Sequence, residues 1–357
     1  MPKKVAIIII NYKDYAEKFL AECRDSLRIQ NYPKELYQVY IVDNASSQES
    51  RRYLGEQFAE AVIIPRQDGN YTAANNAGLN RAIKDGFEYV VIANMDVKFD
   101  KNWLKELCLA IDSDKSIGIA QSKILLYKGS KSEEKEKKIN SLGNIIHFLG
   151  FGFTDGYRQP DKDIEGYPEI KGYPSGCSFI IKKEVLDKIK GYNEELYMYH
   201  DDLDIGWKTK LAGYKIVLAP ESIVYHKYSF ARSVLMVYYM ERNRYLAVFT
   251  FYKCATILLI LPALVLMDIG MLFFSIINGW FKTKIKVYYY FLKPNSWLKI
   301  FKARKEIQEI RKVKDKEMVK NFFGKVLFQE IDNPVLRYIG NPILNIYWQV
   351  VKRIIWW

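Results

Sequence analysis

The apolar run Tyr89-Val90-Val91-Ile92-Ala93 stops abruptly at Asn94-Met95-Asp96. On an extended chain, residues two apart point the same way, so Asn94 and Asp96 are able to share one ligand. The plain alternative is a strand leaving the core through a polar turn, since loops are generally polar. Further on, His200-Asp201-Asp202-Leu203-Asp204 is the densest acidic cluster outside the charge runs. Asp202 and Asp204 share a side if this segment is extended; Asp201 and Asp204 meet if a helix has begun. One aspartate ahead of the apolar-periodic Leu203, Trp207 and Leu211 is an ordinary N-cap. Three with a histidine exceed what capping needs. A carboxylate here is a candidate general base, and adjacent carboxylates raise each other's pKa. His226 closes the apolar run Ile223–Tyr225. A lone histidine is more often structural than a ligand, yet a chain with only 3 has set one at a strand end. Asp96, His226 and phosphate oxygens together would make a shell for Mg²⁺ or Mn²⁺. Glu241-Arg242-Asn243-Arg244 either holds a phosphate or forms the positive edge of a membrane anchor.

These residues need a scaffold, and the first 125 residues alternate strand and helix patterns. Val5–Ile10, Gln38–Val42, Ala61–Ile64 and Phe87–Ala93 read as strands. The β-branched run at Val5–Ile10 suits a strand buried on both faces. Ala16–Gln30, Glu49–Phe58, Thr72–Asp85 and Trp103–Ser113 read as helices, with Gly86 suited to a C-cap. Strands alternating with helices predict a doubly wound, mostly parallel sheet. In such sheets the ligand crevice lies outside the carboxyl ends of the strands. Three of these strands end in polar residues, at Asn11, Asp43 and the Asn94/Asp96 pair. Residues 173–226 read as strand, helix, acidic loop, helix and strand. The charged run at 128–140 reads as a solvated loop tip.

The chain of 357 residues is long enough for one large domain and a second element. Its 4 cysteines form no CxxC pair, which argues against a zinc site or a disulfide framework and fits a reducing compartment. The N-terminal apolar run ends at Asn11 with no small-residue cleavage site after it, so it reads as a buried strand and not a signal peptide. The net charge of +13 is uneven. Residues 282–357 hold 17 basic against 6 acidic residues, and residues 231–281 hold 4 against 2, which leaves residues 1–230 neutral. A basic tail suits nucleic acid or an anionic membrane surface. A nucleic-acid binder would carry its basic and aromatic residues on the folded domain, and that domain is neutral, so no nucleic-acid partner is expected.

Residues 254–281 are a 28-residue apolar stretch interrupted by Pro262 and Asp268, long enough to cross a bilayer. One crossing would set the basic tail opposite the first domain, against the positive-inside tendency. A hairpin or re-entrant segment breaking between Pro262 and Gly270 keeps both on one side. The tail mixes aromatic and basic residues, as interfacial helices do. The alternative is a soluble helical subdomain that packs the apolar stretch internally. The expected organisation is therefore a catalytic domain over 1–230, a connecting helix and apolar membrane segment over 231–281, and basic interfacial helices over 282–357.

The series IIIINY (7–12), VDNASS (42–47), DGNYTAANNAGL (68–79), ANMDV (93–97), PSGCSFIIKKEVLDKIKGYNEELY (174–197), HDDLD (200–204), LAGYKI (211–216), VYH (224–226) and ERN (241–243) resembles glycosyltransferase family 2. It is most similar to the rhamnosyltransferase-like branch that acts on polyprenyl-linked sugars. Each motif is short; the ordered set over residues 4 to about 250 is specific. The resemblance implies a GT-A fold and inverting sugar transfer from a nucleotide-activated donor. It places Asp43 near base and ribose, and Asn11, Asn70 and Asn75 along the nucleotide. Asp96 matches the last position of the family's DxD metal motif, with Asn94 in place of its first acid. Asp202 matches the general base, with Asp201 second, and His226 a metal- or diphosphate-binding histidine. Arg242 falls in the ERN motif. The implied partners are a nucleotide-sugar donor, a lipid-linked polyprenyl saccharide acceptor and the anionic membrane surface at its cytoplasmic face. The implied cofactor is Mg²⁺ or Mn²⁺. A catalytically silent scaffold of the same fold is the competing reading.

Overall fold

The first strand, β1 (Val5–Tyr12), is buried along seven of its eight residues, so both of its faces need a cover. Helix α1 (Tyr15–Arg28) supplies one. Its buried Ala16, Leu20, Cys23 and Leu27 recur at helical spacing and join Val5, Ile7 and Ile9 in one core. The computed structural model describes residues 3–127, 137–228, 237–327 and 333–357, so residues 128–136 of the charged run lie outside it.

From β1 the sheet grows as the sequence pattern requires. β2 (Tyr37–Asn44) pairs parallel with β1 and sets Asp43 opposite Asn11. Helix α2 (Gln48–Gln57) leads to β3 (Val62–Arg66), parallel to β2. Helix α3 (Tyr71–Lys84) covers the other face of β1. A Cβ on its Gly78 would lie 2.6 Å from Ile8 Cγ2, so the helix reaches this depth only with glycine there. β4 (Tyr89–Ala93) pairs parallel with β1 on the side away from β2.

The remaining strands make the sheet mixed. β5 (Val97–Phe99) follows β4 directly, α4 (Trp103–Asp112) comes next, and then β6 (Ile117–Leu126) and β7 (Ile139–Ser141). β8 (Asn144–Ile146) and β9 (Gly152–Thr154) form a separate two-stranded sheet. β10 (Ser178–Lys182) runs antiparallel between β4 and β6, with Ser178 opposite Ala93. Helices α5 (Lys183–Ile189) and α6 (Asp201–Leu211) precede β11 (Lys215–His226). β11 is parallel to β6 and antiparallel to β5. The strand order is β3-β2-β1-β4-β10-β6-β11-β5, with β7 beside β6. Because β10 is reversed, its first residue abuts the last residue of β4, so two loops meet at one place.

The chain divides into two compact units. The first holds Met1–Asn144, Thr154–Thr209 and Tyr214–Tyr228, and contains the large sheet. The second holds Ile145–Phe153, Lys210–Gly213 and the chain from Ser229 onward, and is helical. Its helices span Val237–Phe251, Cys254–Ile277, Phe281–Leu292, Pro294–Ile310, Asp315–Val319 and Asn341–Ile354. Trp348 stacks on Phe148 at 4.7 Å and donates its indole N–H to Phe322 O.

The expected break in the apolar stretch is corrected, and the alternative of internal packing is not met either. No break separates Pro262 from Gly270: one helix of 24 residues runs through both. A proline inside a helix removes one N–H and crowds the preceding turn, at about 3 kcal/mol. The leucines, alanine and methionine around it are strong helix formers, and packing along one face offsets the rest. Nor is the stretch buried internally, since only 22 % of its most apolar window is covered. Asp268, the lone charge in that helix, faces inward: its Oδ1 lies 2.6 Å from Lys284 Nζ and its Oδ2 accepts from Tyr288. Lys284 also binds Glu241, which pairs with Arg244, so the buried charges close into a balanced network.

Candidate active site

Where β4 ends, the chain does not stay extended. It bends at Met95-Asp96 and restarts as β5. The alternation that would have set Asn94 and Asp96 on one side is therefore lost, and their placement comes from neighbouring strands. Asn94 N–H donates to Cys177 O at 3.0 Å. Asp96 O accepts from Lys227 N–H at 2.9 Å. Pairing of His226 with Val97 across β11 and β5 then lays the imidazole beside the carboxylate. His226 Nε2 stands 3.4 Å from Asp96 Oδ1, both side chains nearly buried. The other ring nitrogen, Nδ1, lies 2.8 Å from Asn140 Oδ1. Burial opposes the imidazolium, but Cys177 and the Asp96 carboxylate beside the ring outweigh it and raise its pKa to about 10.

The acidic cluster begins a helix. Asp201, Asp202 and Asp204 all lie in the first turn of α6, so Asp202 and Asp204 do not share a side as they would in a strand. Asp204 is used structurally: its Oδ2 accepts from Lys208 Nζ at 2.6 Å and from Asn193 N–H at 3.0 Å. Asp202 is half-buried. Its Oδ1 accepts from Leu203 N–H at 2.8 Å and its Oδ2 from Gly176 N–H at 3.3 Å. Asp201 is buried. Burial pushes Asp202 up to about 6 against the pull of those two N–H donors. Burial, with Asp202 beside it, pushes Asp201 up to about 8. Just before the pair, Tyr197, Tyr199 and His200 all adopt positive φ, at 65°, 61° and 59°. Each costs of order 1 kcal/mol outside glycine, so the surrounding packing holds the helix start in a strained approach.

One short segment ties the two clusters together. Gly176 touches Asp202, the next residue accepts from Asn94 and borders His226, and Ser178 opens β10. The segment lies close on α6, where a Cβ on Gly206 would stand 2.4 Å from Tyr173 Cβ and 2.7 Å from Pro174 Cδ. Tyr71, at the start of α3, completes the link. Its hydroxyl reaches Asn94 Oδ1 at 3.5 Å. Burial and the carboxylates of Asp201, Asp202 and Asp96 push its phenol up.

The remaining expected residues occupy a second group at the ends of β1 and β2. Asn11 donates to Asp43 Oδ1 at 2.8 Å, and its own Oδ1 accepts from Ala16 N–H. Arg51 Nε holds Asp43 Oδ2 at 2.7 Å. Asn70 caps α3 through Ala73 N–H and donates to Glu194 O. Asn75 is fully buried: it donates to Tyr71 O, while its Oδ1 has no hydrogen-bond partner. Arg242 lies in the helical unit, where its guanidinium sits over the rings of Tyr238, Tyr239 and Tyr290 and binds Asn243 Oδ1. Residues the motifs did not mark include Arg51, Tyr71, Asn140 and Cys177. Asn140 is the last residue of the charged run read as a solvated loop tip; it is instead buried in β7, so that reading fails at this end of the run. Cys177 sat inside a quoted motif with nothing to show what it touches.

The donor set suits a cation shared with a diphosphate. Asp96 and His226 supply one carboxylate oxygen and one imidazole nitrogen side by side. Among the described residues no three His, Cys, Asp or Glu side chains form a cage. Mg²⁺ and Mn²⁺ are commonly held by one or two protein ligands, with waters and phosphate oxygens filling the shell. Metal binding and protonation compete for the imidazole.

The profile described as "Glycosyl transferase family 2" matches residues 6–189, just over half of the chain. The chain belongs to glycosyl transferase family 2. Among curated relatives it is 23% identical over 248 residues to the low-salt glycan biosynthesis hexosyltransferase Agl10 of Haloferax volcanii, covering 68% of this chain and 75% of that one. It is 23% identical over 203 residues to N-acetylglucosaminyl-diphospho-decaprenol L-rhamnosyltransferase of Mycobacterium tuberculosis, covering 53% and 66%. Two longer relatives match with 26% and 24% identity, and the chain spans only 24% and 17% of their lengths. Among solved structures, S. aureus TarS 1–349 in complex with UDP aligns over 98% of this chain and 90% of that one, at 17% identity and a TM-score of 0.50. That likeness bears on the fold alone. Family 2 membership and the architecture agree on a GT-A-type α/β sheet followed by a helical region.

Proposed function

We propose that this chain transfers a sugar, with inversion at the anomeric carbon, from a nucleotide-diphosphate donor to a hydroxyl of a lipid-linked saccharide. The acceptor would be met at the cytoplasmic face of the membrane. One observation supports this most: two unequal carboxyls at the start of α6 share a loop with the Asp96–His226 pair, in a family 2 chain. Similarity to the M. tuberculosis enzyme favours rhamnose as the sugar.

Asp202 is the general base in this reading. It is the more accessible of the pair, and the Gly176 and Leu203 N–H groups that it accepts from favour its ionised form. Its free carboxylate takes the acceptor hydroxyl's proton as that oxygen bonds to the anomeric carbon. The bond from that carbon to the diphosphate oxygen breaks on the opposite side, and the nucleoside diphosphate leaves with the electron pair. No covalent nucleophile is needed. Asp96 and His226 would hold Mg²⁺ or Mn²⁺, which when bound offsets the charge growing on the diphosphate. Asn11, Asp43 and Asn70 would fix the nucleotide, and Asn75 and Asn94 would support it through Tyr71.

The test is release of nucleotide from a panel of nucleotide sugars by the detergent-solubilised chain, with Mg²⁺ or Mn²⁺ and with or without a polyprenyl-diphosphate sugar. One donor is expected to turn over only with acceptor present. Asp202→Asn should lower that rate by about 10²–10⁴ while leaving donor binding intact. The ionised base is the active form, so the rate should rise with pH through an apparent pKa near 6. Donor binding without any turnover would favour the silent scaffold. An undiminished rate in Asp202→Asn would remove Asp202 from its role.

A further inference from the structure

The helical unit exposes apolar side chains in ordered rows. On Cys254–Ile277 the exposed row is Leu258, Leu261, Val265, Ile269, Phe273 and Ile276, while Ile260, Ala263, Leu264 and Met267 face the protein. Phe281–Leu292 exposes Phe281, Ile285, Tyr289 and Leu292. Asn341–Ile354 exposes Ile343, Ile346, Val350 and Ile354, opposite its buried Leu344, Trp348 and Val351. Spacings of three and four residues put each row on one helix face. An apolar row that leaves the protein on this scale marks an interaction surface.

Charge identifies what covers it. Between Asp268 and Glu306 the sequence holds no acid and 8 basic residues. Lys282, Lys286 and Lys293 each follow a residue of the exposed row on their helix and are themselves exposed. Lys299 and Lys302 do the same beside the exposed Leu298 and Phe301. A lysine edge along an apolar row is the pattern of a helix lying in a membrane interface, with its apolar side among acyl chains and its ammonium groups among anionic headgroups.

Length decides between lying in the membrane and crossing it. Cys254–Ile277 alone could span, at about 36 Å for 24 residues. Its protein-facing side is tied to shorter partners. Lys284 and Tyr288 of the 12-residue helix bind Asp268, and Tyr347 of the 14-residue helix binds Leu259 O. These reach about 18 and 21 Å, short of the roughly 30 Å hydrocarbon core. A crossing would drag their lysines into hydrocarbon, where charge is costly.

We propose that the helical unit docks in a single leaflet of an anionic bilayer, with the Cys254–Ile277 helix lying in the membrane plane without crossing it. This deepens the membrane part of the proposed function and rests on that reading. Vesicle binding is measured without donor or acceptor, so its failure and a failure of transfer are separate results. The full chain is added to preformed sealed vesicles of phosphatidylcholine alone or with an equal part of phosphatidylglycerol. Binding is expected to be about tenfold or more stronger with the anionic lipid and to weaken with salt. Ile285→Glu combined with Leu298→Glu should lower it by about tenfold or more, with the circular dichroism spectrum unchanged. A membrane-impermeant maleimide added outside should label both native Cys254, which is exposed, and Asn278→Cys at the far end of the helix. Labelling of Cys254 with protection of the cysteine at 278 until detergent is added would mean a crossing and overturn the proposal. Binding unaffected by the glutamates would also overturn it. So would a lipid-free dimer that the glutamates dissociate, with no vesicle binding, since a second copy would then be the occupant.

Discussion

Asp201 and Asp202 are adjacent in sequence and unequal in surroundings. Asp202 receives two backbone N–H groups and remains half-open, while Asp201 is closed in beside it. The pair therefore separates into a carboxylate fit to take a proton and a carboxyl that burial holds protonated near neutrality. That arrangement costs stability. Folded Asp201 keeps its proton up to about pH 8, whereas an unfolded aspartate releases it near 3.9. The unfolded state thus gains from ionisation first, and stability falls as pH rises through the window between those values. Asp201→Asn removes the penalty. It should raise the melting temperature at pH 8 by several degrees, on the order of 1–3 kcal/mol, and change it little at pH 4. A calorimetric scan at both pH values checks this; a variant that melts lower at pH 8 would show that the carboxylate stabilises the fold.

At the scale of elements, the site depends on how closely the Tyr173–Ser178 segment sits on α6. Gly206 permits that approach, since any Cβ there meets the Tyr173 backbone and Pro174 below 3 Å. Gly206→Ala must push the segment outward by several tenths of an ångström, at about 1–3 kcal/mol for overpacking. Gly176 then retreats from Asp202, and Cys177 from Asn94. Transfer should fall by about tenfold or more, whereas nucleotide binding, proposed to rest on the β1 and β2 ends, should be nearly unchanged. Steady-state kinetics beside nucleotide titration separates the two effects; equal losses in both would place the segment on the donor side instead.

At the scale of the whole molecule, charge and apolar surface are divided between the two units. The first is neutral and closes its apolar residues around the sheet. The second carries the net positive charge and most of the exposed large apolar side chains among the described residues. Two ligand classes should therefore leave two separate footprints in hydrogen exchange. A nucleoside diphosphate with Mn²⁺ is expected to protect peptides covering Asn11, Asp43, Asp96 and Asp202. Anionic vesicles are expected to protect peptides covering residues 258–310. Vesicle protection confined to the first unit would show that the apolar rows do not meet the membrane.

Periodicity alone determined much of this protein. Continuous apolar runs mark the longer strands and near-helical spacing marks the helices between them, each from side-chain geometry within a few residues, whereas the three-residue strands β5, β7, β8 and β9 carry no such run. The polar strand ends at Asn11, Asp43 and Asp96 were visible for the same reason. Relations between distant segments could not be read that way. Reversal of β10 brings Cys177 to Asn94, and β11 lays His226 against Asp96; both depend on pairing across more than 80 residues, which no local pattern encodes. The unequal fates of Asp201, Asp202 and Asp204 depend on which donors Gly176, Leu203 and Lys208 bring to them. Likewise the proline at 262 suggested a break, because its local cost is legible in sequence while the packing that offsets it is not.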